Sequence, residues 1–402
     1  MTVLVRARSW TPALVSAGAS VLVTAASLLI ARHDGFAVFG EFVAVQAVGV
    51  VLGIPMLWGV HVGASRAIAA GSDAGVVVGT AVAVVLAACV LTAGAYLAVV
   101  AVVGAAAPLW HAAGLGASAA VMTLAESLLR IRGRQALASG LRLGYGAAYL
   151  AAVLVVAGQG SPALYSVLIM CGNTACAALM MAGLGCAPKR GDAGLARTFL
   201  REGWAYSTGQ SLLALLFGFD VILLAQAAGP AAVGVYALYV GACRRVVGVL
   251  FTDSLASVLI SRLARRDAAT GRRAVLGHAP RLVAASVLGA SALVVVGLAA
   301  ADALEHLVVG WLVLTAVGCT AHAVVIVVFC VFTVQPDLGL ARVRRALAVA
   351  FAPGLGVQAA GAVLAGAPGM IAAFAAVNTV LAWWFLAVLR RSPIASTTRG
   401  NR

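Results

Sequence analysis

The sequence predicts an all-α protein that crosses a membrane about twelve times. Hydrophobic residues make up 63% of the 402-residue chain and charged residues only 10%, against roughly 25% charged residues in an ordinary soluble domain. The mean hydropathy is +1.08. Apolar stretches recur along the whole length and leave no polar block large enough for a soluble domain. We therefore predict one membrane-embedded unit.

The individual spans follow from the thickness of a bilayer, whose ~30 Å hydrocarbon core requires ~20 largely apolar residues per helix. Twelve windows meet this requirement: 12–30, 42–61, 76–103, 112–129, 143–157, 162–184, 204–225, 231–250, 283–298, 308–334, 347–365 and 371–389. The first window is long enough to span and lacks a convincing small-residue cleavage site. We therefore predict that it is retained as the first helix and is not a signal peptide.

The basic residues predict the orientation of these helices, because Lys and Arg concentrate in short loops that face the cytoplasm. With the N-terminus inside, the cytoplasmic segments contain 24 of the 27 basic residues and the outside loops contain one, Arg32. A miscounted helix would invert every later loop and destroy this asymmetry. The pattern predicts twelve helices with the N- and C-termini both cytoplasmic.

An internal repeat predicts how the helices are arranged. Leu29-Ile30-Ala31, followed by glycines at 35 and 40, corresponds at a displacement of 194 residues to Leu223-Leu224-Ala225, followed by glycines at 229 and 234. Six predicted helices separate the copies, so both halves have the same topology and are related by a pseudo-two-fold axis along the membrane normal. We predict two six-helix lobes, 1–186 and 204–391, around a central cavity. Residues 187–203 form a cytoplasmic linker and 392–402 a cytoplasmic tail.

Two short segments resemble a known family of exporters. The sequence DVILLAQAAG that begins at Asp220, continued by PAAVGVYAL, is similar to the seventh-to-eighth-helix signature of polysaccharide exporters. GFAVFGEF from Gly35 is similar to the family's entry into its second helix, and GASRAIA from Gly63 to the end of that helix. The chain thus resembles the Wzx-like flippases of the multidrug/oligosaccharidyl-lipid/polysaccharide exporter superfamily.

This resemblance implies a function in cell-surface polysaccharide biosynthesis. A Wzx-like flippase moves a polyprenyl-diphosphate-linked oligosaccharide from the cytoplasmic to the outer leaflet by alternating access. The arginine-rich, lysine-poor composition indicates a bacterial cytoplasmic membrane. The expected partners are the lipid-linked glycan, membrane lipids and enzymes of polysaccharide biosynthesis, with the protein itself a monomer. Nucleic acid is not expected, because the basic residues lie in short clusters without interleaved aromatic residues.

Three alternatives remain open from the sequence. The first is a cation-coupled multidrug exporter of the same superfamily, which would tolerate a cavity without arginine, so that Arg244→Ala should separate it from a flippase. The second is a membrane-embedded glycan polymerase or acyltransferase, although the outside segments are short for a catalytic loop. The third is a scaffold of cell-envelope assembly that does not transport.

Motifs of enzymes and cofactor sites are not found in the sequence. It contains no GxSxG, Walker A or HExxH motif, and no carboxylates paired for glycosyl transfer. The seven cysteines form no CxxC pair and are interpreted as small buried hydrophobes. We therefore predict a transporter without catalytic residues, cofactor or metal. Its energy would come from an ion gradient, the membrane potential or the substrate concentration.

Charged residues inside the predicted helices are the candidate site, because burying a charge in a membrane is costly. Arg244 and Arg245 lie in the eighth window, with Arg244 14 residues beyond Pro230, or ~21 Å into the membrane. Together with Arg66, they are the predicted binding residues for a substrate diphosphate, since guanidinium groups bind phosphate bidentately. The alternative for the arginine pair is a contact with an acid or the inner interface.

Acidic residues provide the remaining candidates. Asp220 and Asp253 are predicted to act in ion coupling or gating. The alternative for Asp220 is a structural ion pair or a helix-end hydrogen bond. The alternative for Asp253 is an ion pair with the arginines at 244 and 245. Glu126 precedes Arg130 by four residues, the favourable order for a helical ion pair.

Overall fold

A computed structural model describes residues 2–103, 110–241, 244, 284, 287–334 and 340–391. The α-helices in these ranges are α1 (Thr2–Leu57), α2 (Val60–Ala69), α3 (Ala74–Val103), α4 (Trp110–Ile131), α5 (Gln135–Val156), α6 (Pro162–Ala182), α7 (Ala193–Tyr236), α8 (Val287–Ala300), α9 (Val309–Val334) and α10 (Leu340–Arg391). Ala237–Gly241 continues α7 as a π-helical turn, and Leu304–His306 forms a 3₁₀ turn before α9.

Three long helices are each interrupted by a glycine in a left-handed conformation. Gly35 in α1, Gly229 in α7 and Gly366 in α10 have φ angles of 82°, 81° and 59°. Glycine adopts these angles without steric cost because it has no Cβ. The interruptions separate the first from the second predicted window, the seventh from the eighth, and the eleventh from the twelfth.

The interruptions in α7 and α10 are reversals of the chain. Tyr236 hydrogen-bonds Asp220 across Gly229, although 16 residues of straight helix would separate them by ~24 Å. Likewise, a Cβ placed on Gly361 would lie 2.5 Å from the carbonyl oxygen of Gly369. Both long helices are therefore antiparallel hairpins, and each contains two of the predicted spans.

Eight helices in the described part of the chain are long and apolar enough to cross a membrane, and α8 is a shorter apolar helix. Their outward-facing side chains are apolar, as shown by Val102, Leu364 and Val155, which are 88%, 83% and 81% exposed. Such surfaces suit a hydrocarbon surrounding and not water. The eighth window is described only to residue 241 and at 244. The count of twelve, the two-lobe symmetry and the side of each terminus therefore remain predictions.

The predicted linker 187–203 is held against the start of α3. The backbone N–H of Lys189 donates to the carbonyl of Gly75 at 2.9 Å, and its Nζ lies 2.6 Å from Asp73 Oδ2. The hydrogen bond from Lys189 lowers the pKa of the Asp73 carboxyl. Asp192 then caps α7 by accepting from the N–H of Leu195 at 2.6 Å. Helix α7 thus begins within the segment predicted as a linker.

Candidate functional site

The two copies of the repeat pack against each other in a reciprocal way. Gly35 and Gly229 share nearly the same backbone conformation, with ψ angles of 171° and 174°. A Cβ on Gly40 would overlap the carbonyl oxygen of Pro230, and a Cβ on Gly234 would overlap that of Phe36. Phe36 and Pro230 are 194 positions apart, as are Gly40 and Gly234. Each copy of the repeat therefore makes the same contact with the other copy. This contact has local two-fold symmetry.

A cleft of about 230 Å³ opens between α1, α4 and α7, farther along α1 than this contact. Its walls are made of small and apolar residues with three polar ones, namely Gly49, Val50, Gly53, Ile54, Leu57, Gly59, His61, Ala119, Ala120, Thr123, Ser211 and Ala214. Within the described residues, no carboxylate, Lys or Arg lines it. Because α7 belongs to the second half of the chain, the cleft lies between the two halves.

Arg244 is largely buried in the second half, with 14% of its side chain exposed, and forms an ion pair with Asp220, whose side chain is fully buried. Its Nη2 donates to Asp220 and, at 2.9 Å, to the hydroxyl of Tyr236. Its Nη1 donates to the backbone carbonyl of Phe217 at 2.7 Å. Tyr236 also donates to Asp220. The turn after Gly229 brings these groups together from both arms of the hairpin.

Aromatic rings enclose the guanidinium of Arg244. Its Cζ lies 4.2 Å from the ring centroid of Phe374 in α10, and 5.5 and 5.9 Å from those of Phe217 and Tyr236. Aromatic faces attract cations and exclude water, which strengthens the ion pair inside them. The ion pair and the rings together join α10 to the α7 hairpin.

A second buried polar contact lies beside Phe374, whose ring centroid is 6.1 Å from that of His322. His322 Nδ1 lies 3.0 Å from Asn378 Oδ1, while the Asn378 amide donates to the carbonyl of Phe374. Since Oδ1 can only accept, this amide orientation places a proton on His322 Nδ1. The His322 ring also packs edge-on against Phe217 at 4.7 Å between centroids.

Among the other predicted site residues, the structure describes only Arg66, and its ion-pair partner is a different acid from that of Arg244. Arg66 lies near the end of α2 with 62% of its side chain exposed, 3.9 Å from Glu202. Arg245 and Asp253 lie outside the described residues. The structure thus shows Asp220 as an acid bonded to Arg244 and leaves any contact with Asp253 undescribed.

The sequence does not predict Phe217, Phe374 or the hydroxyl of Tyr236 as surroundings of Arg244. Tyr236 lies within the segment PAAVGVYAL that resembles polysaccharide exporters, and Phe374 is 130 residues beyond Arg244 with no spacing that connects them. The sequence also does not predict the contact of Arg142, whose Nη1 lies 3.3 Å from Oε2 of Glu126 in the neighbouring helix. The predicted helical ion pair of Glu126 with Arg130 is confirmed, at 2.5 Å.

The apolar helices, the hairpins and the cleft between two repeated elements define a multi-pass all-α membrane protein. Among solved structures, the chain is similar to "Inward-facing conformation of a multidrug resistance MATE family transporter of the MOP superfamily", with a TM-score of 0.54 and 15% identity over 94% of this chain and 97% of that one. It is also similar to "Crystal structure of MATE in complex with MaL6", with a TM-score of 0.63 and 12% identity over 96% of this chain and 94% of that one.

At these identities the likeness shows the fold, which is that of the MATE transporters. The exporter superfamily that the sequence resembles, and its Wzx-like subfamily, remain predictions. No protein-family model matches the sequence, and no curated protein matches it.

Proposed function

We propose that the protein is an exporter that works by alternating access around the cleft between its halves. The reciprocal contact of the repeat, in which Gly40 packs on Pro230 and Gly234 on Phe36, is the observation that carries this proposal. A close contact of bare backbone at one end of the interface, with a cleft farther along it, suits two six-helix lobes that rock about a pseudo-two-fold axis. The fold shared with MATE transporters supports the same mechanism.

The proposed cargo is a polyprenyl-diphosphate-linked oligosaccharide, carried from the cytoplasmic to the outer leaflet of a bacterial cytoplasmic membrane. The resemblance of the segments at Gly35 and Asp220 to polysaccharide exporters supports this cargo. The apolar wall of the cleft suits the hydrocarbon part of a lipid carrier. With the cytoplasm negative, the membrane potential favours outward movement of each negative charge by ~2.3 kcal/mol per 100 mV.

Multidrug efflux is the second candidate function, and three observations favour it. The described wall of the cleft contains no Lys or Arg to receive a diphosphate. In addition, the guanidinium of Arg244 is already neutralised by Asp220. One structural neighbour is also described as a multidrug resistance transporter.

Flipping in proteoliposomes distinguishes the two cargoes. We expect purified protein to flip a fluorescent polyprenyl-diphosphate oligosaccharide, and to do so faster when the compartment facing its cytoplasmic side is made negative. The potential acts because a diphosphate carries negative charge outward. A flat response to the potential would contradict the proposed driving force. Transport of cationic drugs but not of the glycan lipid would contradict the flippase and support the efflux pump.

A filled cleft provides the structural test of the exporter. We expect Ala214→Trp to abolish transport of either cargo, because the indole would occupy space between α7 and α1. The matched control is Val155→Trp, at a position 81% exposed on the outer surface of α5, which should transport as the wild type does. Equal transport by the two variants would show that the cargo does not pass through this cleft.

A further inference from the structure

An aromatic contact joins the two halves of the chain at the end of their interface that the basic residues predict to be outside. Phe36 follows the interruption of α1 in the first half, and His306 lies in the 3₁₀ turn between α8 and α9 in the second half. Their ring centroids are 5.1 Å apart, with an interplanar angle of 66°. Edge-to-face pairs of this kind stabilise a contact beyond the apolar area that they bury. The pair therefore holds the halves together through side chains.

A buried tyrosine of the second half fixes the turn that contains His306. The hydroxyl of Tyr239 donates to the carbonyl of His306 at 2.7 Å and accepts from the N–H of Val308 at 2.9 Å. The ring of Tyr239 also packs edge-on against Trp311, at 5.7 Å between centroids. These hydrogen bonds involve only the backbone of the turn and do not depend on the imidazole of His306. The second half thus presents a preformed surface to the ring of Phe36.

The backbone of Phe36 lies against the second half as well. A Cβ on Gly234 would overlap the carbonyl of Phe36 and lie 3.0 Å from its Cβ. The internal repeat does not reproduce the ring contact, because the residue 194 positions after Phe36 is Pro230, which has no aromatic ring. The pair of Phe36 and His306 is therefore an addition to the reciprocal backbone contact and departs from its two-fold symmetry.

The aromatic pair lies beyond the cleft in the predicted outward direction. Val50 lines the cleft and is 14 residues from Phe36, or ~21 Å along α1. Phe36 and His306 both fall between predicted spans, in loops that the basic residues place outside. A path from the cleft to the outside between α1 and α7 therefore requires the two rings to separate.

We propose that Phe36 and His306 form an outer latch, which keeps the cleft closed to the outside until the two halves separate at this point. The latch rests on the proposed function, because it requires a second state in which the cleft opens outward. Neither residue lines the cleft. Weakening the latch therefore shifts the population toward the outward-open state and leaves the wall of the cleft unchanged.

Labelling of a single cysteine in the cleft tests the outer latch. Ala214→Cys is introduced into the full-length protein with its seven native cysteines replaced by alanine, and a membrane-impermeant maleimide is added to cells from outside. We expect Phe36→Leu and His306→Ala each to raise the labelling rate by about fivefold, the population shift given by the loss of one aromatic pair. Phe36→Leu keeps an apolar side chain, and His306→Ala keeps the carbonyl to which Tyr239 donates.

Trp110→Ala is the matched control for these variants. Trp110 lies at the predicted outer end of α4, and its ring packs edge-on against His111 of the same half, at 4.5 Å between centroids. The substitution removes a similar aromatic pair from within one half, so labelling should stay at the rate of the parent protein. The latch would be overturned if Phe36→Leu and His306→Ala proteins were labelled no faster than the Trp110→Ala protein.

The double variant Phe36→Leu/His306→Ala shows whether the two residues act through one contact. Because both substitutions break the same pair, the double variant should be labelled no faster than either single variant. A rate increase equal to the product of the two single effects would show that the residues act separately, which would also overturn the latch.

Transport by the same proteins separates the latch from the exporter. Loss of transport in Ala214→Trp, together with control-like labelling of the latch variants, would leave the exporter standing and remove the latch. Faster labelling of the latch variants in a protein that transports neither cargo would keep the latch and contradict the exporter.

Discussion

Arg244→Ala is expected to destabilise the protein by ~3–5 kcal/mol, the cost of removing one partner from a buried ion pair. The Asp220 carboxylate is fully buried and, among the described residues, would keep only the hydroxyl of Tyr236 and the backbone N–H of Val221 as donors. The substitution also removes the cation that Phe217 and Phe374 surround. Denaturant or thermal unfolding of the purified protein in detergent measures this loss.

Two further variants test whether the loss of stability arises from the burial of the ion pair. Arg66→Ala removes an arginine that is 62% exposed and 3.9 Å from its acid, so its effect should stay within ~1 kcal/mol. The double variant Asp220→Asn/Arg244→Ala removes both charges and should recover part of the loss. Measured together with Asp220→Asn alone, it should give a clear coupling energy in a double-mutant cycle. If Arg244→Ala unfolds like Arg66→Ala, the buried ion pair is not a stabilising contact in the membrane protein.

Arg244→Ala cannot distinguish a flippase from a drug exporter, although the sequence alone predicts that it would abolish glycan export and spare drug efflux. Because Arg244 connects both arms of the α7 hairpin to Phe374 of α10, its loss should impair any cargo by weakening the fold.

Gly40→Ala and Gly234→Ala are expected to be the second most damaging substitutions. The added Cβ would overlap the backbone carbonyl of Pro230 in the first variant and of Phe36 in the second. A backbone atom cannot rotate away as a side chain can, so the cost should be at least the ~1–3 kcal/mol typical of overpacking. Because the contact is reciprocal, the two variants should lose similar amounts of thermal stability and of transport.

Glycines elsewhere in the helices provide the control for this prediction. A Cβ on Gly94 of α3 or on Gly356 of α10 would meet nothing within 4 Å. Alanine favours a helix by up to ~1 kcal/mol over glycine, so Gly94→Ala and Gly356→Ala should be neutral or slightly stabilising. Stability of Gly40→Ala equal to that of Gly94→Ala would show that the two repeat copies do not pack as closely as described.

Much of the architecture followed from local properties of the sequence. Windows of ~20 apolar residues predict helices because an unpaired backbone is too costly in hydrocarbon. The glycines at 35 and 229 stood out in the repeat because each copy needs a residue that tolerates positive φ. The cost of a buried charge likewise identifies Arg244 and Asp220 as candidate residues from the sequence alone.

The partners of these charges came only from the tertiary structure. Several helices, such as α3, are apolar on all sides, so the sequence carries no period that tells which face meets another helix and which meets lipid. The choice of faces determines the pairing of Arg244 with Asp220 and the position of the Phe374 ring beside Arg244. It also determines the contacts of Arg130 and Arg142 with Glu126. The hydrocarbon of the bilayer and the interior of the protein are equally apolar. Which helix faces meet is therefore decided by close packing of small residues and by polar contacts between distant positions.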